Sequence, residues 1–183
     1  MQPVSSWWYP LTRSTGIVAA VLAVASLLWG LFFSARNTGN RLRPNWWLAL
    51  HNWLGGLTLA FVALHMLVSF LDSETGIGFV DLFVPSSAVG WNIGWGVLAF
   101  WMFVLVVLPS VARVRRHLPR KAWHVVHLLS VPAVALTAVH AYQAGTDSGT
   151  TIFSRVFAVL VGACVYPITL RLIGIAQARR AVA

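Results

Sequence analysis

Charge is what this sequence has least of. Only 9% of its 183 residues are charged, and four of those are acidic, against roughly 25% charged residues in an ordinary soluble domain. Water is therefore excluded as the main solvent of the fold. Cysteine is almost missing as well. Cys164 stands alone inside a hydrophobic run, which excludes an internal disulfide and a cluster of thiolate ligands. The start, MQPVSSWWYPLTRST, lacks both the positive charge and the small-residue cleavage site of a signal peptide, so the first hydrophobic segment is expected to be retained. No internal repeat, heptad seam or low-complexity tract is evident. The net charge of +9 does not indicate nucleic acid, because the basic residues flank hydrophobic runs and do not line one polar face.

What is present in abundance is hydrophobic sequence, 58% of the chain. It comes in runs at Gly16 to Ala35, Trp46 to Leu71, Trp91 to Val111, Trp123 to Ala141 and Ile152 to Ile173. Each is near the ~20 residues that cross a ~30 Å hydrocarbon layer as a helix. The expected fold is all-α, a polytopic bundle of about five transmembrane helices forming a single domain over residues 1–183. Its surroundings are membrane lipid, and its expected location is a cell membrane, taken as a bacterial plasma membrane. The longest interruption, Asp72 to Gly90, holds GIGFVDLFVPSS and is expected to form a short interfacial helix.

Lys and Arg in short loops mark the cytoplasmic side. Arg36, Arg41 and Arg43 follow the first run, Arg113, Arg115, Arg116, Arg120 and Lys121 the third, and Arg171, Arg179 and Arg180 accompany the end of the fifth. Those eleven of the thirteen basic residues share one side, leaving Arg13 and Arg155. The N-terminus is accordingly expected outside and the C-terminus in the cytoplasm. Tryptophans near span ends, such as Trp46, Trp91 and Trp123, suit the headgroup region and imply no chemistry.

Histidines at membrane depth are costly and usually face a bundle interior, a cofactor or a water path. His51 and His65 lie on the second run, His127 and His140 on the fourth, and both runs cross in the same direction. Fourteen residues separate the first two and thirteen the second two, about 21 Å and 20 Å of helix at ~1.5 Å per residue. His51 with His127 and His65 with His140 thus form an inner and an outer level. Two imidazoles from different helices at one level are what holds a haem iron from both axial positions. At ~100° per residue His51 and His65 differ by only ~40°, whereas His127 and His140 differ by ~140°. Pro132 lies between the latter and offers a kink. His124 competes for the inner role at a misfit of ~160°, and His117, inside RVRRHLPRK, is expected in the cytoplasmic loop.

The plainer alternative is that these histidines only hydrogen-bond between helices. Matched depths and the lack of a membrane-embedded carboxylate favour two b-type haems, with the four histidines as iron ligands. Gly55 and Gly56, one turn after His51, let a porphyrin approach or simply let helices pack. Arg13 and Arg155, the two basic residues on the outer side, are candidate partners of haem propionates.

The segments WLALHNWLGGLTLAFVALH and WHVVHLLSVPAVALTAVHAYQAGTD resemble the ferric-reductase-like transmembrane domain family, over about Thr15 to Ala176. That superfamily includes NADPH oxidases, ferric reductases and the bacterial haem subunit serving periplasmic methionine sulfoxide reductase. The resemblance implies haem ligation by His51, His65, His127 and His140 and electron flow from a cytoplasmic donor outward. The sequence departs from the larger members in showing no glycine-rich nucleotide loop. No FAD or NADPH site is therefore expected, and the donor is expected to be a separate reductase protein or a quinol, with quinone a further candidate cofactor. The outer acceptor is expected to be a protein or ferric iron. Two alternatives stand beside this: a quinol-linked cytochrome b anchor of an outer-face oxidoreductase, and a haem-free transporter or assembly protein.

Overall fold

A computed structural model describes residues 7–34, 44–86 and 88–180. It is 84% helical, with no strand among the described residues. Seven helices occur in order: α1 (Trp8–Ser34), α2 (Pro44–Leu71), α3 (Trp91–Val107), α4 (Ala112–Arg115), α5 (Arg120–His127), α6 (Ser130–Ala144) and α7 (Thr151–Arg180). They make five apolar segments long enough to cross a membrane, with α5 and α6 sharing the fourth, Arg120–Ala144. The basic cluster of Arg36, Arg41 and Arg43 lies outside the described residues.

The first segment starts at Trp8, well before the expected Gly16. The polar stretch at its start is helical, with its hydroxyls turned inward on the backbone. Ser14 and Thr15 both donate to the Leu11 carbonyl, at 3.1 and 2.7 Å, and so need no solvent. Pro10, in the first turn, forfeits an N–H that has no partner in a helix anyway.

The fourth segment breaks after His127 for a local reason. Pro132 has no N–H to give the Leu128 carbonyl. That carbonyl accepts instead from Val131, at 3.1 Å, and Leu129 N–H reaches Val126 O at 3.0 Å. These are 3-10 bonds, and residues wound at ~120° instead of ~100° each add ~20° of rotation. The overwinding moves His140 toward the face of His127 and relieves the phase misfit between them.

α1 lies along α2, and α3 lies along α6; α1 also meets α6 and α7, and α2 meets α3. The buried core joins Ala23 and Leu27 of α1, Ala99 and Phe103 of α3, Ala133 and Val134 of α6, and Cys164 of α7. In sequence Ala133 and Val134 fall between His127 and His140, and Thr58, which is 2% exposed and donates to Leu54 O at 2.8 Å, falls between His51 and His65. Small residues there bring the helices close, as in other membrane bundles. Ala133 is wholly buried, so Ala133→Leu is expected to cost about 1–3 kcal/mol through overpacking. Thermal unfolding in detergent checks this, with the exposed Val21→Leu expected to leave the transition in place.

The outward faces are apolar. Val21, Leu57, Leu105, Val159 and Leu172 are all exposed, which fits lipid as their neighbour. Between α2 and α3 the chain forms two separate 3-10 turns, Ser73–Thr75 and Val80–Leu82, in place of the expected interfacial helix. Asp72 caps the first, its carboxylate accepting from Glu74 N–H at 3.2 Å. Gly76 then takes a left-handed φ of 64°, and Asp81 binds Gly78 N–H at 3.0 Å. Local side-chain bonds of this kind compete with a continuing helix. Trp101 of α3 holds the loop down through a 2.8 Å bond to Phe83 O.

Candidate functional site

Two histidines face each other at each of two levels. At one, His65 of α2 and His140 of α6 have ring centroids 6.2 Å apart and planes at 69°. At the other, His51 of α2 and His127 at the end of α5 are 5.9 Å apart, also at 69°. The axial spacing of the sequence is realised as two juxtaposed pairs, with the angular misfit of His127 and His140 taken up at the break between α5 and α6.

Three of the four rings are tied from behind. His65 Nδ1 lies 2.9 Å from the Thr12 carbonyl of α1, and His140 Nδ1 lies 2.7 Å from the Asn92 carbonyl of α3. A carbonyl only accepts, so both Nδ1 atoms carry the hydrogen and both Nε2 atoms keep a lone pair. The tie of His127 is less direct. Ser110 Oγ donates to Val106 O at 2.7 Å, accepts from Trp123 Nε1 at 3.1 Å, and lies 3.4 Å from His127 Nδ1. Its single hydrogen being used on Val106, the hydroxyl can only accept from His127, which leaves Nε2 of that ring free too. Trp123 stacks on His127 at 4.7 Å, with the Arg115 guanidinium 4.5 Å from the indole centroid. His51 Nδ1 is buried without a hydrogen-bond partner.

The pairs fit a metal held between them. Two metal–nitrogen bonds of about 2 Å, extended by about 1.2 Å from each nitrogen to its ring centre, give ~6.4 Å between centroids, and the observed 5.9 and 6.2 Å fall just below that. Among the described residues no three His, Cys, Asp or Glu side chains gather as a metal-ion site. The donor set is therefore two imidazoles per level, which suits a planar macrocycle supplying the remaining four ligands.

The other candidates are placed as follows. His124 is exposed and its ring lies beside Trp123, whereas His127 faces His51. His117 Nδ1 bonds Arg113 O at 2.9 Å, in the loop where it was expected. Arg13 forms an ion pair with Asp147, and Tyr9 meets Thr146 at 2.8 Å, so the start of α1 is clasped to the α6–α7 loop. Arg155 is exposed near the start of α7. A side chain at Gly55 would meet only Ser26 Oγ, at 3.9 Å, and one at Gly56 would meet nothing. Gly56 also lies ~140° from His51 around the helix, away from the paired rings. Ser110 and Trp123 were not singled out as site residues by sequence reasoning. Their signal was available only as a serine and a tryptophan near the break before His127, neither of which is distinctive near a membrane surface.

Residues 7–138 match the family described as ferric reductase like transmembrane component, a stretch that includes His51, His65 and His127 and stops just short of His140. No curated protein and no solved structure matches the chain. With the match extending over well more than half of the sequence and the five apolar helices in place, the chain belongs to the ferric reductase like transmembrane component family.

Proposed function

We propose that this protein moves electrons across a cell membrane by way of two b-type haems, one held between His65 and His140 and one between His51 and His127. The observation that carries this is the double pairing of imidazoles, each with Nε2 left as the available donor or with no competing partner. Haem, when bound, supplies a one-electron couple whose potential the axial ligands and their hydrogen bonds tune. The protein's own part is to fix four ring planes, to fill both axial positions and so disfavour oxygen binding, and to keep the intervening layer of Ala99, Phe103, Ala133 and Thr58 packed.

We place the N-terminus outside, from the distribution of basic residues. Outward electron transfer then runs with the membrane potential, worth up to ~2.3 kcal/mol per charge per 100 mV. The proposed donor is a separate reductase protein or a quinol at the cytoplasmic side. The proposed acceptor is a protein or ferric iron at the outer loops. Arg13, which retains N–H groups beyond those used on Asp147, and Arg155 are the proposed cations for the outer propionates.

Transport is tested in liposomes carrying the haem-loaded protein, with ascorbate trapped inside and ferricyanide outside. Ferricyanide reduction several times faster than in protein-free liposomes is expected. A rate equal to the protein-free control contradicts transmembrane transfer. Orientation is tested with a membrane-impermeant maleimide on intact cells, for which the buried Cys164 gives little background. Ser148→Cys is expected to label and Lys121→Cys to remain unlabelled; the reverse pattern would invert the topology.

A further inference from the structure

Behind three of the four histidines stands a glycine with no room for an ordinary side chain, and the spacing of these positions repeats. A Cβ at Gly16 of α1 would lie 3.0 Å from His65 Cε1 and 3.1 Å from Nδ1; one at Gly30 would lie 3.0 Å from His51 Cε1. On α3, a Cβ at Gly96 would lie 2.9 Å from His140 Nδ1. In each case the imidazole rests against bare helix backbone.

One turn before two of these glycines, Gly16 and Gly96, is a carbonyl that the ring addresses. Thr12 precedes Gly16 by four residues and accepts from His65; Asn92 precedes Gly96 by four and accepts from His140. Ser26 precedes Gly30 by four, but His51 Nδ1 closes no hydrogen bond there. The fourth position is Ser110, four residues after Val106. Its hydroxyl spans the gap, donating to the Val106 carbonyl and standing 3.4 Å from His127 Nδ1. Gly16 to Gly30 and Gly96 to Ser110 are both fourteen residues apart, the spacing of His51 and His65. The fourteen-residue spacing thus occurs once on α1, behind the histidines of α2, and once from α3 into the 3-10 turn Leu108–Ser110 that follows it, behind His140 of α6 and His127 of α5.

We propose that Gly16, Gly30, Gly96 and Ser110 are positioning residues. Each forms a seat that fixes the ring plane of His65, His51, His140 and His127 respectively, and the carbonyl or hydroxyl bonds at His65, His140 and His127 fix their tautomer as well. The inference rests on the haem reading above and adds residues that touch no iron. Its physical basis is steric and electronic together. Without a Cβ, the ring can approach the helix closely enough for Nδ1–H to reach a carbonyl already engaged in the helix ladder. That bond keeps Nε2 deprotonated and raises its basicity toward a metal. A methyl group at the glycine pushes the ring off the carbonyl, away from the partner imidazole's axis, or both.

The test is haemin titration of the purified haem-free protein, followed by low-spin EPR of the loaded form, for wild type, Gly16→Ala, Gly96→Ala, Ser110→Ala, Ser110→Thr and Gly56→Ala. Loss of a supporting partner typically costs ~10–100-fold in metal affinity. Gly16→Ala and Gly96→Ala are expected to weaken one of two haems by that factor and to shift one EPR signal, the same one in both. Ser110→Ala is expected to shift the other signal, Ser110→Thr to restore it, and Gly56→Ala to match wild type. If Gly96→Ala does not fold, the Ser110 pair carries the test, since removing one hydroxyl leaves helix packing alone. Wild-type affinity and spectra in Gly16→Ala and Ser110→Ala, with two haems bound, would overturn the seats and leave the haem reading intact. A wild type that binds no haem overturns both.

Discussion

His65→Ala is expected to halve the haem content, from two per chain to one. The substitution deletes one of the two imidazoles of the outer level and the bond from its Nδ1 to Thr12. His140 then faces a gap in place of a ring 6.2 Å away. One axial ligand and hydrophobic contact retain a haem far less well than two, so the loss should exceed the ~10–100-fold that removing a supporting partner costs. The inner pair, fourteen residues down the same helix, should keep its haem, and the surviving spectrum should remain that of a six-coordinate, low-spin iron. A pyridine haemochrome assay normalised to protein gives the number. Loss of both haems together would mean that the two levels do not form independently.

The second large effect separates two histidines three residues apart. His127→Ala should remove the inner haem and leave the outer one, whereas His124→Ala should retain both. The sequence alone leaves this open, because the two positions have comparable phase misfits to His140. The structure distinguishes them: the His127 ring faces His51, is stacked on Trp123 and is tied toward Ser110, while His124 is exposed. Haem content and difference spectra of the two variants provide the check. A His124→Ala protein with a single haem would transfer the inner role to His124 and require α5 to be turned on its axis.

The five spans were legible because hydrophobic length is a coarse signal that survives any detail of packing. Their ends were less so. Trp8 to Thr15 reads as a polar approach to the membrane, and is helix with the Ser14 and Thr15 hydroxyls satisfied on the Leu11 carbonyl. The loop between α2 and α3 reads as a short interfacial helix, and forms two single turns in which Asp72 and Asp81 bind nearby backbone N–H groups. Both departures carry short-range hydrogen bonds that hydropathy does not register.

The histidine pairing was legible from spacing, and Pro132 correctly marked where the fourth span departs from an ideal helix. The seats behind the rings were not. Their acceptors are backbone carbonyls, which every residue possesses. Their other half is glycine, frequent in membrane helices for general packing reasons. Gly16 and Gly30 share the fourteen-residue spacing of the histidines, but nothing in the sequence says that α1 rather than another helix lies behind them. Gly55 and Gly56 drew attention only by their closeness to His51 along the chain. On the helix Gly56 turns away, and it is glycines from neighbouring helices that meet the rings.

The most direct test of the central claim is the haem stoichiometry of the wild-type protein, purified from cells supplied with haem and read by pyridine haemochrome together with a reduced-minus-oxidised spectrum. Two b-type haems per chain is the expected result. A colourless protein that also fails to take up added haemin would contradict it, and would leave the four histidines as links between helices or as a site for some other cargo.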